Sequence, residues 1–250
     1  MVGVQYHDYL YHQKHGNNNL LLDLYYKNEI YYSKETIPKS DDIYYMAPGG
    51  STPLGTLGYI DAVFELKNQI DNGEIPEPDY IFVPTASSGT AAGLTIGVKL
   101  TGLKTHIHAV QVSFPSICNF KAIRRLSNKT KKYMAEYDKT IPEITFEHLH
   151  YTEEYYGGEY GLPTRECIEA ITLLNSEEGV SLEPTYSGKT FAALLGFIRA
   201  NKRDIKDKTI LFWNTYNSRD FSSILKKVDY HDLPQELHWV FEEPLPINGI

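Results

Sequence analysis

The 250-residue sequence predicts an α/β fold: a mostly parallel, twisted sheet with helices on both faces. Three observations predict it. Short apolar runs suited to buried strands, Tyr80–Val83, His108–Val112 and Thr209–Trp213, alternate with longer segments of helical spacing. Alternation of that kind makes the strands parallel and places helices against both sheet faces. The runs end in loops of small or polar residues, and open α/β sheets bind ligands beyond the carboxyl ends of their strands.

Along the chain, Leu20–Tyr26 has the apolar content of a helix and Glu29–Ser33 that of a strand. After the polar stretch Lys34–Asp42, Ile43–Met46 reads as a short strand leading into Pro48-Gly-Gly-Ser-Thr-Pro-Leu-Gly-Thr-Leu-Gly58. Tyr59–Ile70 has helical spacing, with Tyr59, Ala62, Val63, Leu66 and Ile70 on one face. Tyr80–Val83 is a buried strand, and Ala91 belongs to a small-residue helix. The His108–Val112 strand precedes a long helix over Ile117–Met134. Pro163 and Thr164 begin a helix with the apolar face Ile168, Ile171, Leu173 and Leu174, stopping near Gly179. Another starts at Gly188 and runs through Ala192, Leu195, Phe197 and Ile198. The Thr209–Trp213 strand is followed by a polar loop and a short helix. The Pro-rich tail from Pro234 has no periodicity and is expected to pack as an extended cover or to stay loose. Chemistry is expected in the loops after Met46, Val83, Val112 and Trp213.

Charge and composition exclude several function classes. A net charge of −8 argues against nucleic acid or an anionic membrane as a main partner. The basic cluster Lys121, Arg124, Arg125, Lys129, Lys131 and Lys132 fits the solvated face and end of a helix. Two distant cysteines, Cys118 and Cys167, give no disulfide framework and suit a reducing compartment. No apolar stretch approaches a membrane span, and the first residues lack the basic region and apolar core of a signal peptide. The expected address is the cytoplasm. Most of the 20 tyrosines are expected at half-buried strand or rim positions, so abundance makes none of them catalytic. His106 and His108 alternate on a strand, but nothing else supplies metal-ligand spacing, so they read as packed or rim residues and no metal site is expected.

The most informative segment is Asp79-Tyr-Ile-Phe-Val-Pro-Thr-Ala-Ser-Ser-Gly-Thr-Ala-Ala-Gly-Leu94. An apolar strand feeds a loop of small and hydroxylated residues, which feeds a helix. Ser87, Ser88, Gly89 and Thr90 would place hydroxyls and free backbone N–H groups at the helix's positive end, where a phosphate is held. Serine, glycine and threonine are also ordinary turn and cap residues, so the segment alone fits a plain connection equally well.

Three further segments decide. These are Pro48–Tyr59, the stretch from Tyr160-Gly-Leu-Pro-Thr-Arg-Glu to Glu178-Gly-Val-Ser-Leu-Glu-Pro-Thr-Tyr-Ser-Gly-Lys189, and Ile210-Leu-Phe-Trp-Asn-Thr215. In this order and spacing, the four segments resemble the pyridoxal-phosphate enzymes of the tryptophan-synthase β-like fold. Within that fold they look most like the D-cysteine desulfhydrase and 1-aminocyclopropane-1-carboxylate deaminase group. The resemblance covers about Asn19 to Phe221. It implies pyridoxal 5'-phosphate as cofactor, with a phosphate loop on Ala86, Ser87, Ser88, Gly89 and Thr90, where Ala86 and Ser88 replace two customary glycines. It implies active-site phenols at Tyr160 and Tyr186, which could move a proton or orient a substrate carboxylate. Ser187 falls where relatives place the partner of the pyridine nitrogen, and a hydroxyl there favours β-elimination or replacement. Thr215 falls near the same ring edge, although Tyr216 and Asn217 replace the two glycines that usually follow. Lys189 lies in a family motif whose lysine is not the catalytic one and reads as structural. Residues 1–57 correspond to the remainder of a small N-terminal domain and 58–250 to a large cofactor-binding domain.

The resemblance also exposes a departure. The family's Schiff-base lysine stands in a Gly-Asn-Lys-like motif ahead of the segments recognised here, and His12-Gln-Lys-His-Gly16, which holds Lys14, does not match it. The expectation is an N-terminally truncated relative, inactive as this chain alone. Two readings follow. One is a lyase or deaminase acting on a small amino acid, by β-elimination or ring opening, to give a 2-oxo acid and ammonia. Its lysine segment would come from a separate N-terminal half or an upstream start. The other is a non-catalytic homologue that binds pyridoxal phosphate or another phosphorylated small molecule non-covalently. A homodimer is the family's common assembly. A nicotinamide-dinucleotide protein is disfavoured, because no Gly-x-Gly-x-x-Gly follows a strand.

Overall fold

The computed structural model describes residues 4–6, 17–31, 46–217 and 219–242. Contacts group the chain into two compact units, one of residues 46–216 and one joining 1–45 with 217–250. The expected domain boundary at 57/58 lies within a helix of the first unit.

Unit 46–216 is the predicted α/β layer structure. Its strands β3 (Tyr80–Thr85), β4 (His106–Gln111), β5 (Leu149–Thr152) and β6 (Ile210–Phe212) form a parallel sheet in the order β5-β4-β3-β6. Side chains alternate across it, as the pleat requires. Ile81, Val83, Ile107 and Ala109 pack under α2 (Pro53–Asp71), α3 (Gly89–Thr101) and α4 (Phe120–Met134). On the other face Phe82 and Val110 pack with Ala193, Leu194 and Phe197 of α6 (Ser187–Ala200), beside α5 (Arg165–Glu178).

Three of the long helices start on a side-chain cap. Thr52, Asn119 and Thr164 accept from Gly55, Ala122 and Cys167 N–H and so cap α2, α4 and α5. Helix α5 stops before Gly179, as expected. Its inward face differs from the expected one: Cys167 and Ala170 are buried, whereas Leu173 is 41% exposed. With the half-buried Ile171 and Leu174, the inward stripe is the 167/170/171/174 spacing. The basic residues of α4 sit on its solvated side, as read from the sequence.

The other unit contains β1 (Val4–Tyr6) paired in parallel with β2 (Glu29–Tyr31), α1 (Asn17–Tyr25), α7 (Ser222–Leu225) and α8 (Trp239–Glu242). Its core is Leu20, Leu233, Leu237 and Val240. The tail is therefore neither extended nor loose as far as Glu242. A helical turn at Gln235–Leu237 and then α8 bury Leu237 and Val240. The strand expected over Ile43–Met46 lies outside the described residues except for Met46, as does Lys14. Among the described residues, no helix is long and apolar enough to cross a membrane.

Candidate functional site

Parallel strands bring their carboxyl ends to one side of the sheet, so the loops after Thr85, Gln111, Thr152 and Phe212 share that side. The loop after β3 is the tightest. Ala86 and Ser87 are half-buried, Ser88 is 3% exposed, and Gly89 starts α3. Ser88 has φ 74 and ψ −7, the left-handed conformation that glycine normally fills. The sequence already marks Ser88 as standing in for a customary glycine; the backbone still takes the glycine shape.

The loop at Pro48–Gly50 abuts this turn. Ser51 Oγ donates to Ser87 Oγ at 2.8 Å. Gly49, at φ 64, sits where a Cβ would collide with the Ser87 hydroxyl, and a Cβ on Gly89 would lie 2.6 Å from Ser51 Oγ. Side chains at either glycine would close the gap between the loops. Ser51 was not among the sequence candidates. Its only signal was the Gly-Gly-Ser run ahead of a Thr-Pro helix start.

The start of α3 is chemically unfinished. The first N–H groups of any helix lack intrahelical partners. Side chains satisfy them at α2, α4 and α5, but Ser88 makes no side-chain cap bond to α3. Thr85 Oγ1 and Ser88 Oγ are buried with no hydrogen-bond partner among the described residues. Two hydroxyls without a partner among the described residues thus stand within four residues of a helix's positive end, a setting that suits an anion.

Helix α6 shows the opposite solution. The Glu183 carboxylate accepts from Thr185, Tyr186 and Ser187 N–H at 2.7, 2.8 and 2.5 Å. Ser187 Oγ donates to Glu183 Oε1 and accepts from Glu183 N–H, both at 3.0 Å. Ser187 is 1% exposed, so its hydroxyl is turned into the cap. Serving as donor to a ring nitrogen requires that proton to leave Glu183. The role of Glu183 went unseen in the sequence, where it was one letter of a longer motif; an acid four residues before a helix start is the signal that could have found it.

Tyr160 and Tyr186 meet. Their hydroxyls hydrogen-bond to one another, and the rings stand edge to face at 5.9 Å. Phe114, from the loop after β4, packs on Tyr160 at 5.7 Å. Burial is the main cause raising both phenols above their ordinary value. Their mutual hydrogen bond opposes that rise at Tyr160 and adds to it at Tyr186. A hydroxyl pair uses one hydrogen internally and leaves the other free to donate. Thr215 is exposed just past β6, which neighbours β3.

Lys189, in the first turn of α6, is fully buried. Its ammonium donates to the Tyr156 and Glu159 carbonyls at 2.6 and 3.4 Å, which agrees with a structural reading. His106 and His108 have histidine neighbours that the sequence reading did not foresee. The register of β5 on β4 adds His148 and His150. His106 Nδ1 lies 2.8 Å from His150 Nε2, and His106 Nε2 lies 3.3 Å from His148 Nδ1. The two nitrogens of His106 thus face different partners, and no group of three ligands that could hold a metal occurs among the described residues.

Comparison with known proteins fits this geometry. The sequence model of a family described as "Pyridoxal-phosphate dependent enzyme" matches residues 12–215. D-cysteine desulfhydrase of Serratia proteamaculans is 32% identical over 172 residues, covering 68% of this chain and 49% of that protein. A putative 1-aminocyclopropane-1-carboxylate deaminase of Pyrococcus furiosus is 32% identical over 183 residues, covering 73% and 52%. The chain thus spans about half the length of these curated relatives. A solved structure of an ACC deaminase homologue superposes with TM-score 0.63 at 25% identity, covering 84% of this chain and 64% of that one. A fungal L-serine ammonia-lyase from Rhizomucor miehei shares the fold, with TM-score 0.52 at 15% identity over 92% of this chain and 73% of its own.

Proposed function

The chain belongs to the family of pyridoxal-phosphate dependent enzymes, and from that premise we propose that it holds pyridoxal phosphate by the start of α3. The observation that carries this is the unfinished helix start: Thr85 Oγ1 and Ser88 Oγ are buried without a partner among the described residues, at a helix start that the Ser88 side chain does not cap. The donor set fits a phosphate. It is neutral, rich in N–H and O–H, and placed at a helix's positive end. Ala86, Ser87, Ser88, Gly89 and Thr90 would hold the phosphate, with Ser51 keeping Ser87 in place. Ser187 and Thr215 would stand toward the ring.

When bound, the cofactor supplies an electron sink for the α-carbon of an amino acid. The chain's own contribution is to bind and to place protons. Tyr160 and Tyr186 remain protonated at neutral pH, because burial raises both. They offer one free O–H to a substrate carboxylate or leaving group. We assign the substrate to the small amino acids, with β-elimination or ring-opening deamination to a 2-oxo acid and ammonia as the reaction class. The names of the relatives, D-cysteine desulfhydrase and putative 1-aminocyclopropane-1-carboxylate deaminase, support this. The cytoplasm and assembly as a homodimer or with a separate N-terminal half belong to the same reading.

We further propose that these 250 residues alone bind the cofactor without turnover, since no segment among them matches the family's Gly-Asn-Lys motif. The test is incubation of the purified chain with pyridoxal phosphate, borohydride reduction and intact mass, alongside 2-oxo acid assays with D-cysteine and 1-aminocyclopropane-1-carboxylate. Retained cofactor with no lysine adduct and no product is expected. A reduced adduct on one lysine together with product would refute the inactivity.

A further inference from the structure

The loop from Glu153 to Gly161 carries Tyr160 but has little regular structure of its own. Its backbone is held from α6. Lys189 Nζ donates to the carbonyl of Tyr156 at 2.6 Å and of Glu159 at 3.4 Å, reaching across 33 and 30 residues of sequence. The ammonium also lies 5.2 Å from the Tyr156 ring centre. The second carbonyl belongs to the residue just before Tyr160. At its other end, Lys189 is three residues past Tyr186, whose hydroxyl pairs with that of Tyr160.

A buried ammonium in the first turn of a helix is unfavourable twice over. It is removed from water and it faces the helix's positive end. Main-chain carbonyls on the Tyr160 loop are the partners that offset those two penalties.

We propose that Lys189 is a positioning residue that sets the Tyr160 hydroxyl in register with Tyr186, so that one helix start places both phenols. The inference rests on the reading of Tyr160 and Tyr186 as the phenols of the site. Lys189 touches neither hydroxyl and acts only through the loop's backbone.

The test is NMR of the protein labelled with 13C at the tyrosine ζ carbon, without added cofactor. Resonances of residues 160 and 186 are assigned through Tyr160→Phe and Tyr186→Phe. Lys189→Met removes the donors at similar length. The Tyr160 resonance is expected to move to the position it takes in Tyr186→Phe, with the Tyr59 resonance unmoved. Lys189→Arg, which keeps N–H donors, is expected to return it toward the wild-type position. If Lys189→Met does not fold, Lys189→Gln, with donors on a shorter stem, is expected to give part of the displacement. A Tyr160 resonance that stays in place in a folded variant lacking the ammonium overturns the proposal. A purely structural lysine would lower stability without moving it. Because the cofactor is absent from the measurement, failure to bind pyridoxal phosphate would sink the cofactor reading and leave this result standing.

Discussion

Replacement of Ser88 tests the local shape on which the anion site depends. At φ 74, an L side chain costs roughly 1–2 kcal/mol that glycine avoids. Glycine gives back about 0.4–1 kcal/mol through the greater freedom of its unfolded chain. Ser88→Gly should therefore be about 1 kcal/mol more stable than Ser88→Ala, which keeps the Cβ in the left-handed conformation. Both variants remove a buried hydroxyl that has no partner among the described residues, a group costing about 1–3 kcal/mol. Both should then be at least as stable as the wild type without ligand. For a chain of this size, 1 kcal/mol moves Tm by roughly 2–4 °C. Thermal unfolding followed by circular dichroism resolves such differences. With pyridoxal phosphate the order should reverse in affinity. Loss of one hydroxyl donor, about 0.5–1.5 kcal/mol, weakens binding roughly 2- to 12-fold. If Ser88→Ala equals or exceeds Ser88→Gly, Ser88 is not left-handed. If both are less stable than the wild type, its hydroxyl has a partner and the helix start is finished.

Three other predictions follow from charges placed in the interior. Burial, with His150 and His106 adding to it, lowers His108 from 6.5 to about 3. The unfolded chain then binds a proton that the fold rejects, so stability falls as pH drops from 6.5 toward 3, by about 5 kcal/mol for this group alone. Urea midpoints against pH should show this slope in the wild type and a shallower one in His108→Phe. Lys189 is lowered from 10.5 to about 8, chiefly by burial. Between those values the unfolded chain holds the proton and the fold does not, so stability should rise with pH by about 3 kcal/mol, a rise absent from Lys189→Met. Glu183→Ala should destabilise by about 2 kcal/mol in urea unfolding, because three N–H groups at the start of α6 lose their carboxylate; an unchanged midpoint contradicts the cap.

What the sequence disclosed is what local chemistry determines. The apolar runs of β3, β4 and β6, the start of α5 at Thr164 and the loop at Ser87–Thr90 are properties of contiguous residues, whereas α2, expected from Tyr59, starts at Pro53 behind a Thr52 cap. Strand β5 was not legible, because Leu149–Thr152 is four residues long and owes its conformation to pairing with β4. The cluster of His106, His108, His148 and His150 was hidden with it, since those side chains meet only once the register is set. The meeting of Tyr160 with Tyr186 and the reach of Lys189 into the Tyr156–Glu159 carbonyls join residues about thirty positions apart. The tie of Ser187 to Glu183 was not legible, because a carboxylate's choice among N–H partners is made by the fold.

The most direct measurement is equilibrium dialysis of the purified chain against pyridoxal phosphate and, separately, pyridoxal, with inorganic phosphate as competitor. The account predicts that pyridoxal phosphate is retained, that pyridoxal is not, and that phosphate displaces the former. Equal retention of both, or retention indifferent to phosphate, would contradict an anion site at the start of α3.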